Sequence, residues 1–216
     1  MKKVIVLGNT LDALSAAHYI LDTCRNTEIQ LIAETAEIGL SAEAPGIFKK
    51  WPPCPNHWIS DMKSQTPNKE STAVRRSWFE KALAIQLSNR GCNIQLKTRV
   101  STITPDQIHV VGAGAIGTST IHYDVILDFR QHIIGPEWFG GIISSRLEAP
   151  EEISGIRSDG TTEVWINQES EHVNNWIQTT TWNGEDPRNA LIQDIEEGIF
   201  KARSKVDTII QPSDSR

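Results

Sequence analysis

The residues with the clearest chemical potential stand together near the start of the chain. Gly8 follows the apolar run 3–7, and Asn9, Thr10 and Ala13 belong to the segment behind it. A dinucleotide-binding fold places a turn of this kind between its first strand and first helix, so that a pyrophosphate lies on the helix N-terminus. The four residues after the run therefore indicate a phosphate-binding turn.

The glycine pattern of this turn is incomplete. Gly8 holds the first position of G-x-G-x-x-G, whereas Thr10 holds the second and Ala13 the third. Alanine suits the third position, but threonine puts a side chain where the backbone approaches the phosphate. Asp12 can satisfy the helix dipole itself and would repel a phosphate, and Asn9 and Thr10 are good N-cap residues. Two interpretations stay open: a bound dinucleotide, or a self-capped helix without a ligand.

An acidic residue stands where the same fold contacts a ribose. Glu34 closes the apolar run 28–34, which predicts the second strand. In dinucleotide-binding folds a carboxylate near this strand end hydrogen-bonds a ribose hydroxyl. Glu34 is therefore expected to belong to the same candidate site as Gly8.

A second glycine pattern, at 112–117, matches G-x-G-x-x-G at every position. The motif indicates a dinucleotide site only where a helix follows it, and here residues 118–127 are rich in β-branched side chains. With the strand-like run 107–111 before it, the pattern favours a β-hairpin. The alternative is a nicotinamide-dependent dehydrogenase that uses the Gly112 loop, and it requires a helix that begins near Ile116.

The elements that position these residues follow from the apolar patterns. The run 3–7 predicts a buried strand, residues 11–24 a helix, and residues 28–34 a second strand parallel to the first. The long stretch 44–71 contains five prolines and predicts either a lid or a loop pinned by its own tryptophans.

The rest of the chain is predicted to contain two helices with a series of strands between them. A helix is predicted from Ala73 to Gly91, and a final helix from Asp186-Pro187. The apolar face of the first is formed either by Val74, Trp78, Ala82 and Ile85 or by Leu83 and Leu87. Further strands are predicted at 93–97, 100–103, 124–128, 142–147, 162–167 and 174–182, the last two as a hairpin. Tryptophans are concentrated beyond residue 135, and we interpret them first as the core of a small sheet, with a flat ligand as the alternative.

Composition and charge limit the classes of function. The chain has 216 residues and a net charge of −6, and it lacks a basic block, which argues against nucleic-acid binding. No apolar run reaches the roughly 18 to 20 residues of a membrane span. Three scattered cysteines indicate a reduced, cytoplasmic protein. No metal site is expected, because Cys54 and His57 form only one ligand pair.

A further set of residues carries a family resemblance. Arg76, Phe79 and Leu83, followed by 90–94 and Val100, resemble the FAD-binding fold shared by flavin hydroxylases, geranylgeranyl reductases, lycopene cyclases and flavin-dependent halogenases. The resemblance covers residues 3–130 and rests on element order and spacing. It implies that the strand–helix start, with Gly8, Asn9, Thr10 and Ala13, binds the ADP half of FAD, that Glu34 contacts the ribose, and that Arg76 lies near the cofactor.

The resemblance also implies an architecture and an activity. The fold class is α/β, with a Rossmann-like FAD/NAD(P)-binding domain at 1–134, whose β-meander covers about 100–123, a reduced β-rich substrate region with a returning helix at 135–207, and a flexible tail at 208–216. The implied function is that of an FAD-dependent oxidoreductase acting on an apolar or aromatic small molecule. A later Gly-Asp motif that completes the flavin site in that family has no clear counterpart, and no catalytic side chain is identified. The alternative is a degenerate Rossmann-like scaffold that binds a nucleotide or nothing.

Overall fold

The computed structural model describes residues 1–39, 44–112, 117–130, 135–147, 153–167 and 175–210. The strands are β1 (Lys2–Leu7), β2 (Thr27–Ile32), β3 (Asn93–Gln95), β4 (Thr98–Ile103), β5 (Gln107–Gly112), β6 (Gly117–His122), β7 (Val125–Asp128), β8 (Glu137–Ser144), β9 (Ile153–Ile156), β10 (Thr161–Ile166) and β11 (Gln178–Asn183). The α-helices are α1 (Leu11–Thr23), α2 (Arg76–Asn89) and α3 (Ala190–Ile210), and short 3-10 helices cover Asn56–Trp58 and Ser60–Gln65.

A parallel sheet of order β3-β2-β1-β7 forms the centre of the fold. Strand β1 is apolar throughout because both of its faces are covered. Val4 and Val6 lie in the core that the three α-helices share, whereas Ile5 and Leu7 pack against Ile108 and other apolar residues of the meander β4-β5-β6. The predicted α/β fold with a parallel sheet and a β-meander is confirmed.

Strands flank the second glycine pattern on both sides. β5 and β6 pair antiparallel, with Val111 opposite Thr118, and residues 113–116 lie outside the described residues. The predicted hairpin is therefore confirmed. A helix beginning near Ile116 is contradicted, because the chain is already extended at Gly117–His122. The dehydrogenase alternative loses the helix that it requires.

The structure decides between the two apolar faces predicted for α2 in favour of Leu83 and Leu87, which are both 0% exposed. Trp78 and Ile85 are 43% and 48% exposed, whereas Phe79 and Leu83 are fully buried. The helix starts at Arg76 because residues 73–75 are still extended, with Ala73 bridged to the segment before it. The later start leaves the helical period unchanged. The side of the helix that is buried carries Phe79 and Leu83.

The second sheet is antiparallel and has the order β11-β8-β10-β9. The predicted hairpin between the strands now labelled β10 and β11 is wrong, because both of them pair with β8 from opposite sides. β8 begins at Glu137, five residues before its predicted start at Ile142. Its early half contains Gly140 and Gly141, and the low strand propensity of glycine concealed this half. Strand β9 was not predicted.

The long stretch 44–71 is held in place by a tryptophan. Trp58 is 1% exposed, and its indole Nε1 donates a 2.7 Å hydrogen bond to Asp22 of α1. Its ring also stacks on His18 at a centroid distance of 4.9 Å. Of the two interpretations, the pinned loop agrees with these contacts.

The final helix begins at Ala190, later than the predicted start at Asp186-Pro187, and it also ends later than expected. α3 continues to Ile210, so its last turn overlaps the tail expected from residue 208, and Ile209 is buried at 4% exposure. Helix α3 packs along α1 and also contacts β7. Within the described ranges, none of the helices has the length and apolar character needed to cross a membrane.

Candidate functional site

The carboxyl ends of the parallel strands meet at one edge of the sheet. Leu7, the last residue of β1, stands between Ile32 of β2 and Asp128 of β7, and Ile32 is opposite Gln95 of β3. The residues at and just beyond these strand ends, 8–13, 33–35, 95–97 and 128–130, are called the carboxyl edge below. In parallel α/β sheets this is the edge where ligands bind.

Gly8 forms the tight turn at this edge. Its φ is +130°, and its N–H donates a 3.0 Å hydrogen bond to the carbonyl oxygen of Ile32. A Cβ atom at this position would lie 3.2 Å from Cβ of Phe129 and 3.5 Å from Cβ of Ala13. Glycine is therefore required here by backbone conformation and by packing, and a small residue at position 13 permits the same close approach.

Hydrogen-bond donors at the start of α1 find their acceptor within the chain itself. Thr10 is the N-cap residue by its extended backbone, but its side chain makes no capping bond to the helix. Instead, the Thr10 hydroxyl donates to Oδ1 of Asp12, and the same oxygen accepts a 2.8 Å hydrogen bond from the N–H of Ala13. Asp12, rather than Asn9 or Thr10, supplies the oxygen that meets the first turn.

Burial disfavours the charged form of the Asp12 carboxyl group. It raises the pKa of the carboxyl group, and the hydrogen bonds from Thr10 and Ala13 oppose this effect only in part. The carboxyl groups of Asp194 and Glu197 on α3 raise the pKa further. The start of α1 is thus surrounded by more carboxylates than a phosphate site favours.

Glu34 lies two residues beyond the end of β2 and is exposed to solvent. Two buried acceptor or hydroxyl atoms stand near it at the carboxyl edge, Oγ1 of Thr35 and Oε1 of Gln95, and neither has a hydrogen-bond partner among the described residues. Such unsatisfied buried atoms are rare in folded proteins. The adenosine half of FAD carries ribose hydroxyls and an amino group that suit these acceptors, so this part of the edge fits that half of the cofactor.

Arg76 is buried inside the fold rather than exposed at the edge. Its Nε donates to Glu80 at 3.1 Å, its Nη1 to the carbonyl oxygen of Pro45 at 3.3 Å, and its Nη2 to Asp194. Burial alone would lower the pKa of Arg76, but the carboxylates of Asp194 and Glu80 outweigh burial and raise it. The guanidinium therefore joins α2, α3 and the segment at Pro45.

The structure brings together five of the six residues that the sequence singled out. Gly8, Thr10 and Ala13 meet at the turn, Asn9 is half-buried between them, and Glu34 follows the neighbouring strand on the same edge. The sixth, Arg76, has protein partners for its guanidinium.

A second buried ion pair was missed by the sequence reasoning. Glu163 of β10 accepts hydrogen bonds from Nε and Nη2 of Arg157 at 2.9 and 2.7 Å, from the N–H of Gly46 at 2.9 Å, and from Nε1 of Trp165 at 3.2 Å. Glu163 and Arg157 are 0% and 3% exposed. The pair fastens the second sheet to Gly46, next to the Pro45 carbonyl that Arg76 holds. Only the position of Glu163 among apolar residues of a strand could have pointed to it.

The tryptophans of the second sheet pack on glycines. Trp165 is 1% exposed and lies over Gly140, and Trp176 lies over Gly141. A Cβ atom at position 140 would be 2.3 Å from the Trp165 ring. The interpretation of Trp165 as core is confirmed, while Trp176 stays half-buried against Phe139 at a centroid distance of 5.8 Å.

His18 has a structural role. Its Nδ1 lies 2.8 Å from Nη1 of Arg90, which can only donate, so the proton sits on Nε2 and is donated to the carbonyl oxygen of Leu83 at 3.0 Å. Burial lowers the pKa of His18 to about 3, and the ring is neutral. Among the residues that the structure describes, no group of three or more His, Cys, Asp or Glu side chains is arranged to hold a metal ion.

Comparison with known proteins identifies the fold. No family model matches the chain, and no curated protein is significantly similar to it in sequence. Solved structures are similar. A geranylgeranyl bacteriochlorophyll reductase-like protein from Thermoplasma acidophilum superposes with a TM-score of 0.64 at 11% identity, over 96% of this chain and 78% of that one. A flavoprotein/dehydrogenase from Cytophaga hutchinsonii gives 0.67 at 11% identity, over 97% and 79%.

A structure that contains the cofactor itself is also similar. CtdE, solved in complex with FAD and a substrate, superposes with a TM-score of 0.52 at 13% identity, over 98% of this chain and 67% of that one. This chain has the fold of the FAD-dependent oxidoreductases. The Rossmann-type FAD/NAD(P)-binding fold inferred from the order of the elements is therefore confirmed, at identities that establish the fold alone.

Proposed function

We propose that the carboxyl edge binds FAD through its ADP half, and that the chain acts as an FAD-dependent oxidoreductase on an apolar or aromatic small molecule. The observation that carries the proposal is the placement of Glu34. This exposed carboxylate follows β2, whose last residue, Ile32, accepts the hydrogen bond from the Gly8 turn. A glycine turn and an acidic residue on adjacent strands form the recognition pair for an adenine dinucleotide.

The adenosine half finds further partners at the same edge. Glu34 accepts from the ribose hydroxyls, and the unsatisfied Oγ1 of Thr35 and Oε1 of Gln95 provide buried polar atoms near it. Gly8, Asn9, Thr10 and Ala13 hold the pyrophosphate at the start of α1. The isoalloxazine ring supplies electron or hydride transfer when FAD is bound, and the protein supplies binding and orientation.

The two buried ion pairs orient the two sheets around the site. Arg76 and Asp194 fix the segment at Pro45 against α2 and α3, and Arg157 and Glu163 fix the next residue, Gly46, against the second sheet. In this proposal Arg76 positions the chain near the cofactor through Pro45.

The second sheet supports the proposed substrate class. Phe139 and Trp176 are half-buried and pack edge to face, and they offer an apolar aromatic surface. Such a surface favours an apolar or aromatic molecule over a charged one. The free thiols of Cys24, Cys54 and Cys92 fit a reducing, cytoplasmic setting.

Two observations favour a second candidate, a Rossmann-like scaffold without flavin. The Asp12 carboxylate already accepts hydrogen bonds from the Thr10 hydroxyl and the Ala13 N–H. In addition, no Gly-Asp motif stands between β11 of the second sheet and α3. A protein of this kind would bind a nucleotide weakly or not at all.

Titration calorimetry of the full chain with FAD and with ADP-ribose separates the two candidates. We expect both ligands to bind, and Glu34→Ala to weaken both by about tenfold or more, because a hydrogen bond to a charged group is lost. Glu28→Ala is the matched control, since Glu28 is an exposed glutamate at the other end of the same strand. Equal affinity of the wild type, Glu34→Ala and Glu28→Ala would contradict the role of Glu34. If neither the wild type nor Asp12→Asn binds either ligand, the scaffold is the candidate that stays.

A further inference from the structure

We propose that Arg130, which follows β7, binds the second phosphate of the dinucleotide, the one that is not attached to adenosine. The inference rests on the proposed FAD function and adds a binding residue that lies outside both the glycine turn and the end of β2. An arginine suits this task, because its planar guanidinium group can donate two parallel hydrogen bonds to phosphate oxygens.

Arg130 and Glu34 lie on opposite sides of the glycine turn. Leu7 of β1 pairs with Ile32 on one side and with Asp128 on the other, so Glu34 and Arg130 each stand two residues beyond the same row of the sheet. Neighbouring strands are about 4.8 Å apart, which separates the two chain positions by about 10 Å. A dinucleotide whose ribose meets Glu34 therefore crosses the end of β1 and brings its diphosphate towards Arg130.

The segment that carries Arg130 is in direct contact with the glycine turn. The N–H of Phe129 donates a 2.8 Å hydrogen bond to the carbonyl oxygen of Leu7, on the side of β1 opposite the bond from Gly8 to Ile32. Phe129 also packs on the turn, since a Cβ atom on Gly8 would stand 3.2 Å from the Phe129 Cβ. The backbone on both sides of the turn is thus fixed, and Arg130 follows immediately.

The Asp128 carboxylate orients the Arg130 guanidinium and leaves donors free. Oδ1 accepts hydrogen bonds from the backbone N–H and from Nε of Arg130 at 3.0 and 2.9 Å, and Oδ2 accepts one from Nη2 at 2.6 Å. This side-on pair leaves the edge formed by Nη1 and Nη2 for another acceptor. Among the residues that the structure describes, Nη1 has no hydrogen-bond partner, and the Arg130 side chain is 34% exposed. A phosphate has the paired oxygens that this edge needs.

The end of β7 is also the side of the turn with more positive charge. Lys201 of α3 donates to the carbonyl oxygen of Asp128 at 2.6 Å, so two cations, Arg130 and Lys201, stand beside one carboxylate. The start of α1 has the opposite balance, because it carries Asp12 with carboxylates of α3 near it. A negatively charged diphosphate is therefore attracted to the β7 side of the turn.

Calorimetry of the full chain with ADP and with AMP tests the inference, because AMP retains the ribose and lacks the second phosphate. We expect Arg130→Met to weaken the binding of ADP and of FAD by about tenfold or more, and to leave the affinity for AMP nearly unchanged. Glu34→Ala should weaken ADP and AMP alike, since both carry the ribose. Arg25→Met is the matched control, because it removes the same charge from the exposed connection between α1 and β2, at the other end of the sheet.

A double variant separates the loss of the Arg130 donors from the loss of a partner for Asp128. Arg130→Met alone leaves the Asp128 carboxylate without its cation, and a carboxylate at this position repels a phosphate by itself. Asp128→Asn combined with Arg130→Met removes both charges and retains a side-chain oxygen for the backbone N–H of position 130. We expect the double variant to stay about tenfold or more weaker than the wild type for ADP. Recovery of the wild-type affinity would assign the effect to Asp128 and overturn the inference.

Titration with FAD keeps the failure of this inference apart from the failure of the proposed function. If the wild type binds FAD and Arg130→Met binds it equally well, the role of Arg130 is overturned while the FAD proposal stands. The same conclusion follows if Arg130→Met weakens AMP as much as ADP, because the arginine then does not recognise the second phosphate. If the wild type binds none of FAD, ADP and AMP, both proposals are overturned.

Discussion

Gly198 in the middle of α3 lies directly on the backbone of Asp12 at the start of α1, where a Cβ atom would come within 2.1 Å of the Asp12 carbonyl oxygen. The contact joins the last helix of the chain to the first turn of α1, which follows the central strand β1. Its consequence is that residues 186 positions apart determine the shape of one candidate site together.

The contact predicts the effect of a single methyl group. Gly198→Ala should lower the free energy of unfolding by about 1 to 3 kcal/mol, because the added carbon meets backbone of the neighbouring helix and not a flexible side chain. Urea unfolding of the full chain measures this difference. Glu196→Ala, an exposed substitution in the same helix, should leave stability nearly unchanged. A Gly198→Ala chain as stable as the wild type would show that α3 does not pack this closely.

The buried pair of Arg157 and Glu163 predicts a larger effect. Arg157→Met leaves the Glu163 carboxylate buried without its cation and should cost about 3 to 5 kcal/mol at neutral pH. The double variant Arg157→Met with Glu163→Gln buries no charge, so we expect it to recover much of that loss. Chemical unfolding of both variants provides the comparison, and a double variant weaker than the single one would contradict the account.

The free energy of unfolding of Arg157→Met should depend on pH in a defined direction. Burial raises the pKa of Glu163, and Arg157 opposes this rise in the wild type. Without Arg157 the folded-state pKa lies still further above the unfolded value, so the folded state binds the proton more readily than the unfolded state. The loss in Arg157→Met should therefore shrink as the pH falls towards the ordinary glutamate range and grow as the pH rises. A loss that is independent of pH would indicate that lost packing, rather than charge, is the cause.

His18 predicts a loss of stability in acid. Burial lowers its pKa in the folded state from 6.5 to about 3, so the unfolded chain takes up a proton first. This contribution to the free energy of unfolding is complete above about 6.5 and falls by about 1.4 kcal/mol for each pH unit below it, down to the folded pKa. Urea unfolding across this interval should show a shallower slope for His18→Gln than for the wild type. Parallel slopes would assign the acid sensitivity to other groups.

Local patterns in the sequence were sufficient for the first strand–helix–strand unit. Each of these patterns predicts structure within about ten residues of itself. They are the apolar run of β1, the small residues of α1 and the β-branched residues after Gly117, and the elements that they predict are present. Glu34 was found in the same way, because its position follows from the end of one strand.

The remaining features depend on contacts that are distant in sequence. Arg76 and Asp194 are 118 residues apart, and Gly46 and Glu163 are 117 apart. The spacing of apolar residues along the sequence cannot predict a contact between residues so far apart. The pairing of β8 with both β10 and β11 was missed for the same reason. The glycines of β8 are explained only by the tryptophans that pack on them, and those lie far away in the sequence.

The visible absorption spectrum of the full chain, recorded after incubation with FAD and desalting, tests the central claim most directly. The account predicts a retained flavin band for the wild type and a weaker one for Glu34→Ala. A colourless wild-type protein would contradict FAD binding and leave a Rossmann-like scaffold.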